Sequence, residues 1–190
     1  MQAVQGDTSI GTGGGKPMAA AGYWEKVRGG RRTVALTIPL AVDIFVSWLG
    51  AFLGIGTVAG LSLVYHMPLL VLSFGASAVL IYGVPDVPLA QPRNVIGGHV
   101  ISAATGVCIY YLCGFSWWAA ALATSLAIVL MLVTGTVHPP GGATALGAVL
   151  NRAAPLYILT PVAAGAVIMV LIGVLVNNLS PNRRYPKYWV

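Results

Sequence analysis

Histidine, proline and glycine cluster at His138-Pro139-Pro140-Gly141-Gly142-Ala143-Thr144-Ala145, inside a chain that is otherwise almost continuously apolar. Proline removes a backbone donor and glycine weakens a helix, so this run starts or breaks one. A helix that begins within a membrane presents unsatisfied N–H groups and the positive end of its dipole, which suits an anion or a polar solute. Pro139 and Pro140 set such a start, and Gly141 and Gly142 permit close backbone approach. The motif has an echo: Gly75-Ala76-Ser77-Ala78 stands 67 positions before Gly142-Ala143-Thr144-Ala145. Ser73 is placed to cap this earlier helix. The candidate binding residues are therefore Ser73, Gly75, Ala76, Ser77, His138, Gly141, Gly142, Ala143 and Thr144. The plain alternative is that these glycine-rich starts only pack tightly against neighbouring helices.

His138 and further polar positions belong to the same question. His138 is a titratable group at membrane depth, a functional candidate whose charge can change near neutral pH. His99, about one turn into another apolar run, is a second proton-linked group or a structural donor. Arg93 and Asn94 stand at the mouth of that run. Three roles are open to Arg93: attracting an anion, pairing with Asp86, or anchoring the topology. Asp43, at a span boundary, caps or pairs. His66 lies in a loop beside Pro68 and reads as interfacial.

The elements that must position these residues are membrane helices. Of 190 residues, 57% are hydrophobic and 7% charged, and the mean hydropathy is +0.85, far from soluble globular composition. Residues 44–65, 95–112, 117–137 and 157–179 are each long enough to cross a bilayer at 1.5 Å per residue. Residues 69–81 and 140–150 are too short to cross alone. Gly50, Gly54, Gly56 and Gly60 give small-xxx-small spacings suited to close helix packing. Residues 83–94 form a turn rich in breakers, and 113–116 and 151–155 form shorter turns. Residues 1–33 read as a flexible basic segment without a signal peptide, 34–180 as the membrane domain, and 181–190 as a basic tail whose Tyr185, Tyr188 and Trp189 suit the interface. Basic residues flank the apolar region on both sides, which predicts both termini cytoplasmic. They form no patch on a soluble domain, which argues against nucleic acid. Cys108 and Cys113 fit neither a metal site nor a redox motif and read as helix packing.

A repeat organises these elements. Ser47-Trp48-Leu49-Gly50-Ala51 matches Ser116-Trp117-Trp118-Ala119-Ala120, the Gly-Ala-Ser/Thr-Ala starts match, and Gly98-His99-Val100-Ile101 matches Gly165-Ala166-Val167-Ile168. The three matches occur in one order at nearly one offset, giving a long, short, long unit used at 44–112 and again at 116–179. The fold expected is an all-α polytopic bundle of four long spans and two half-helices. If each unit crosses an odd number of times, the second is inverted relative to the first, the plan of many transporters. Four spans with two re-entrant segments place the termini equally well.

Phe74-Gly75-Ala76-Ser77-Ala78, the stretch from Pro88 through Gln91-Pro92-Arg93-Asn94 to Gly97-Gly98-His99, and the His138 motif together resemble the HPP family of membrane proteins. The resemblance extends to Asn177-Asn178 and to Tyr185-Pro186-Lys187-Tyr188-Trp189. It departs at Gly142, where alanine is more usual, and at Asp86-Val87. Family members in cyanobacteria and plastids are implicated in nitrite transport, so the resemblance implies a channel or secondary transporter for nitrite. It also implies a cyanobacterial-type bacterial inner membrane in preference to a plastid envelope.

The half-helix starts are then expected to supply donors to a small inorganic anion, with His138 and His99 tuning charge or carrying a coupled proton. A channel for a small neutral solute and a non-transporting membrane scaffold are the rival readings. With four acidic residues and no nucleophile–base spacing, no enzyme is expected, and no metal or cofactor. No phosphate-binding loop is present, so no ATP-driven pump is expected. Lipid and a homo-oligomeric partner are the expected neighbours.

Overall fold

The computed structural model describes residues 38–64 and 71–190. The expectations for the basic segment 1–33 and for His66 lie outside the described residues. Among the described residues six α-helices follow in order: α1 Ala41–Val64, α2 Ser73–Ala78, α3 Pro92–Cys113, α4 Trp117–Thr134, α5 Pro140–Leu150 and α6 Ala164–Asn177. A wider π-helical turn, Val79–Gly83, prolongs α2 to an 11-residue apolar segment, and a similar turn, Leu159–Ala163, leads into α6. Among the described residues four segments are long and apolar enough to cross a membrane: α1, α3, α4 and Pro155–Asn177. The order long, short, long thus occurs twice. The correspondence reaches the connectors, because a short 3₁₀ turn opened by proline precedes the third span of each half, at Pro88–Ala90 and Pro155–Ile158. Pro88 and Pro155 are again 67 positions apart.

The helices begin and end where local chemistry stops them. Pro92 opens α3 and Pro140 opens α5, each at a position whose missing N–H costs nothing. The Ser116 hydroxyl caps α4 by accepting from the Ala119 N–H at 3.2 Å. Gly135 closes α4 with a positive φ of 65°, a left-handed conformation that glycine adopts without strain. Ser73 does not cap α2: Leu72 holds that position, and the Ser73 hydroxyl points elsewhere.

Packing follows the repeat. Each short helix lies against the first span of its own half and the third span of the other: α2 on α1 and α6, α5 on α4 and α3. The two short helices also touch each other, as do the two third spans, α3 and α6. Exchanging the halves leaves this pattern of contacts unchanged.

On α1 the buried residues Asp43, Val46, Gly50, Gly54 and Val58 recur at helical spacing, while Phe45, Trp48 and Phe52 face outward. Gly50 and Gly54 serve a side chain and not a second helix. A Cβ on Gly54 would collide with the Tyr82 hydroxyl, and one on Gly50 would stand 2.6 Å from the same ring. Gly56 and Gly60 have no such neighbour. The apolar core has two main parts. Phe74, Ile81, Tyr82, Met169, Val170 and Tyr185 fill the region between α2 and α6. An alanine-rich seam, including Ala120, Ala123, Ala127 and Ala145, joins α4 to α5.

Tyr185, expected at the interface, is instead buried in the first core, while Tyr188 and Trp189 are exposed as expected. Gly173 makes the room, since a Cβ there would stand 3.0 Å from the Tyr185 ring. Both cysteines are free thiols, and Cys108 faces outward.

Candidate functional site

Where α2, α3 and α5 converge, five polar side chains meet in an otherwise apolar bundle: Ser73, Ser77, His99, His138 and Thr144. All are buried, three of the helices contribute, and none of their polar atoms lacks a partner. Ser77 Oγ lies 2.7 Å from His99 Nε2 and 2.8 Å from His138 Nε2. Thr144 Oγ1 lies 2.8 Å from His99 Nδ1 and 2.8 Å from Ser73 Oγ. His138 Nδ1 is 2.8 Å from the Leu89 carbonyl oxygen, in the loop between α2 and α3. The imidazoles are stacked edge to face with centroids 4.8 Å apart, and the Phe74 ring abuts His99 at 5.2 Å.

The donors can be assigned from one end. A carbonyl only accepts, so His138 Nδ1 carries hydrogen and donates to Leu89. With neutral rings, His138 Nε2 then accepts from the Ser77 hydroxyl. Ser77 has spent its hydrogen, so His99 Nε2 donates to Ser77 and His99 Nδ1 accepts from Thr144. Thr144 in turn accepts from Ser73. The five side chains form one head-to-tail chain, with the two histidines in opposite tautomers.

Small residues allow this convergence. A Cβ on Gly98 would stand 2.6 Å from the His138 Cβ and 2.8 Å from the Thr136 carbonyl, so glycine is what lets the His138 loop lie on α3. Ser77 and Thr144 are equivalent positions of the two repeats, which is why both reach the same centre.

Of the residues singled out in the sequence, Ser73, Ser77, His99, His138 and Thr144 come together here. Gly141 is buried against Ser102 and Gly98. Gly75, Ala76 and Ala143 are exposed on the outer faces of their helices, and Gly142 is partly so. The expected backbone donors take another form. The N–H groups of Gly141 and Gly142 are bonded to the His138 and Pro139 carbonyls, and those of Phe74 and Gly75 to Val71 and Leu72. Side chains, and not helix N-termini, supply the polar atoms of this centre.

Arg93 does not pair with Asp86. Its guanidinium donates to the Thr134 carbonyl, while Asn94 donates to the Val137 carbonyl, so both hold the loop that carries His138. Asp86 pairs with Lys187 at 2.8 Å.

Sequence reasoning missed the strap that secures Leu89. The Tyr185 hydroxyl donates to the Ala90 carbonyl, and the Lys187 N–H donates to Gln91 Oε1. Gln91 Nε2 donates onward to the Pro85 carbonyl. Burial, with Tyr82 beside it, pushes the Tyr185 phenol above the usual tyrosine range, so it stays a donor. Next to this strap, Asp43 forms an ion pair with Arg183 at 3.3 Å and accepts from the Ser180 hydroxyl at 2.6 Å. Asp43 and Arg183 border an open pocket of about 300 Å³ that also includes Pro39, Gly83 and Val84. A second, apolar groove of about 430 Å³ runs between α1 and α2.

Apolar spans, an outward-facing hydrophobic surface and a buried polar centre define a polytopic α-helical membrane protein. The chain belongs to the HPP family: residues 37–186 match the family's transmembrane region. It is 42% identical over 184 residues to a transmembrane protein of Dictyostelium discoideum, covering 88% of this chain and 57% of that one. A second transmembrane protein of the same organism is 43% identical over 179 residues, covering 88% and 63%. The chain therefore spans about three-fifths of the length of these relatives. No solved structure matches it.

Proposed function

We propose that this protein is a channel or secondary transporter for a small inorganic anion, nitrite being the candidate, with the Ser73–Ser77–His99–His138–Thr144 cluster on its path. The observation that carries the reading is the cluster itself: five buried polar side chains bonded to one another where two short helices meet. Polar and titratable groups at membrane depth are costly and mark solute or proton pathways. Hydroxyl and imidazole N–H groups are donors suited to the oxygens of nitrite. The contact pattern, unchanged when the halves are exchanged, supports a duplicated unit; in our reading the two copies are inverted, and the basic residues flanking the apolar region support cytoplasmic termini. In such a plan the two halves rock about a central site, and the present form, with every donor satisfied internally, is a closed one.

The test is nitrite flux into proteoliposomes holding the purified protein, against empty liposomes, because nitrous acid crosses lipid unaided. Flux above the empty control that falls with His138→Ala supports the reading. Folded protein with no flux above that control overturns the nitrite assignment.

A further inference from the structure

The chain of hydrogen bonds has a direction and a stopper, and the two together define a proton-linked device. We infer that Ser73, Thr144, His99, Ser77 and His138 form a proton relay closed at Leu89, and that transport through this protein is coupled to a proton. The inference rests on the transport reading above and adds what drives it.

The relay can be followed atom by atom. A proton arriving at Ser73 Oγ releases the Ser73 hydrogen to Thr144 Oγ1. The Thr144 hydrogen passes to His99 Nδ1, the His99 Nε2 hydrogen to Ser77 Oγ, and the Ser77 hydrogen to His138 Nε2. Each oxygen, and the His99 ring, gains one hydrogen and loses one. His138 alone gains a net proton and becomes an imidazolium. Every hop covers a separation of 2.7–2.8 Å. No electrons change hands.

Release must occur from His138 Nδ1, whose partner is the Leu89 carbonyl at 2.8 Å. An amide oxygen accepts a hydrogen bond but is too weak a base to take and pass the proton. The relay is therefore plugged in this form, which prevents a standing proton leak. Once a water displaces the carbonyl and takes the proton, the bare Nδ1 lone pair faces the carbonyl lone pairs. That repulsion keeps the loop from reclosing until the ring regains a hydrogen at Nδ1. The position of the loop at Pro88–Ala90 and the protonation of His138 are thus tied together, the requirement for coupling as opposed to passive conduction.

The charged groups on the surrounding elements point elsewhere. Asp43 of α1 is bound by Arg183, Ser180 and Asn182. Asp86 is bound by Lys187, and Arg93 of α3 by the Thr134 carbonyl. Tyr82 donates to the Met169 carbonyl and Tyr185 to that of Ala90. Reversal of the chain also has acceptors in place. The Ser73 and Pro140 carbonyls lie 3.3 Å and 3.4 Å from the hydroxyls of Ser77 and Thr144.

The experiment separates exchange from accumulation. Proteoliposomes at neutral to mildly alkaline pH are given labelled nitrite, once with unlabelled nitrite inside and no gradient, and once with an imposed pH gradient. Wild type and Ser77→Thr are expected to perform both faster than empty liposomes, into which nitrous acid leaks at its own rate. One proton per nitrite gives about tenfold accumulation per pH unit, since a pH unit is a decade in proton activity. Ser77→Ala breaks the relay between the rings; because Ser77 also lies on the proposed path, exchange is expected to fall, and accumulation is expected to fall further than exchange, to the level of empty liposomes. Exchange without gradient-driven accumulation in the wild type overturns the relay and leaves the anion reading intact. Accumulation by Ser77→Ala at the wild-type level overturns it too. So does a fall in accumulation no steeper than the fall in exchange in that variant, which makes Ser77 a binding or folding residue alone. No protein-dependent exchange in the wild type overturns the anion reading and the coupling with it.

Discussion

Replacing Arg183 by methionine tests whether the polar clasp at the end of α6 is a genuine part of the fold. Its guanidinium donates to the Tyr82 carbonyl at 2.9 Å, Asn177 Oδ1 at 3.1 Å, the Asp43 carbonyl at 2.7 Å and Ser47 Oγ at 2.8 Å, besides facing the Asp43 carboxylate. The two charged side chains are only 8% and 12% exposed, so solvent screens the pair little. Removing one partner of a buried, hydrogen-bonded ion pair costs about 3–5 kcal/mol, chiefly because the other charge is stranded. Here Asp43 keeps the Ser180 hydroxyl at 2.6 Å, which places the cost near the lower end, about 3 kcal/mol. Asp43→Asn should cost less, because Arg183 retains its carbonyl, amide and hydroxyl acceptors. The double variant should be more stable than the sum of the two losses by roughly 1–2 kcal/mol, since the neutral amide needs no cation. Reversible unfolding in mixed detergent reads all four proteins. Arg183→Met within about 1 kcal/mol of wild type, the range of exposed pairs, or strictly additive losses, would refute the reasoning.

Nitrogen-15 spectra of histidine-labelled protein should show His138 as the Nδ1–H tautomer and His99 as Nε2–H at neutral pH, with Ser77→Ala disturbing both. Two identical tautomers would contradict the donor order. Gly98→Ala should lower thermal stability by about 1–3 kcal/mol, as overpacking does, and perturb the His138 signals above all others. A variant as stable as wild type with unchanged signals would mean that α3 and the His138 loop are not in the close contact described.

The sequence made the spans legible because lipid demands length and apolarity, and four runs satisfy both. The two short elements were legible because proline and glycine interrupt what would otherwise be continuous helix. The centre was half legible. Ser77 and Thr144 lie at equivalent repeat positions, and two buried histidines have few polar partners to choose from.

Gly75, Ala76 and Ala143 misled because a motif is read along a line while a helix turns 100° per residue. The residues that precede Ser77 and Thr144 thus fall on the outer face. That the first N–H groups donate to carbonyls of their own helix start was not legible either, since 3₁₀ closure leaves no mark in composition. Arg93 and Tyr185 show the same limit at longer range. Which carbonyl an arginine reaches, and whether an aromatic residue finds a hole beside a glycine, depends on where distant segments come to rest.

That last dependence has a consequence for how the protein is made. Tyr185 completes a core two of whose members, Ile81 and Tyr82, leave the ribosome about a hundred residues earlier, and its hydroxyl bonds a carbonyl 95 positions back in the chain. Until residues 183–187 are synthesised, the loop at Pro88–Ala90 has no strap and the space beside Gly173 has no ring. All the spans can therefore insert one after another before the strap over Leu89 is in place. It closes only when the last of these residues folds back.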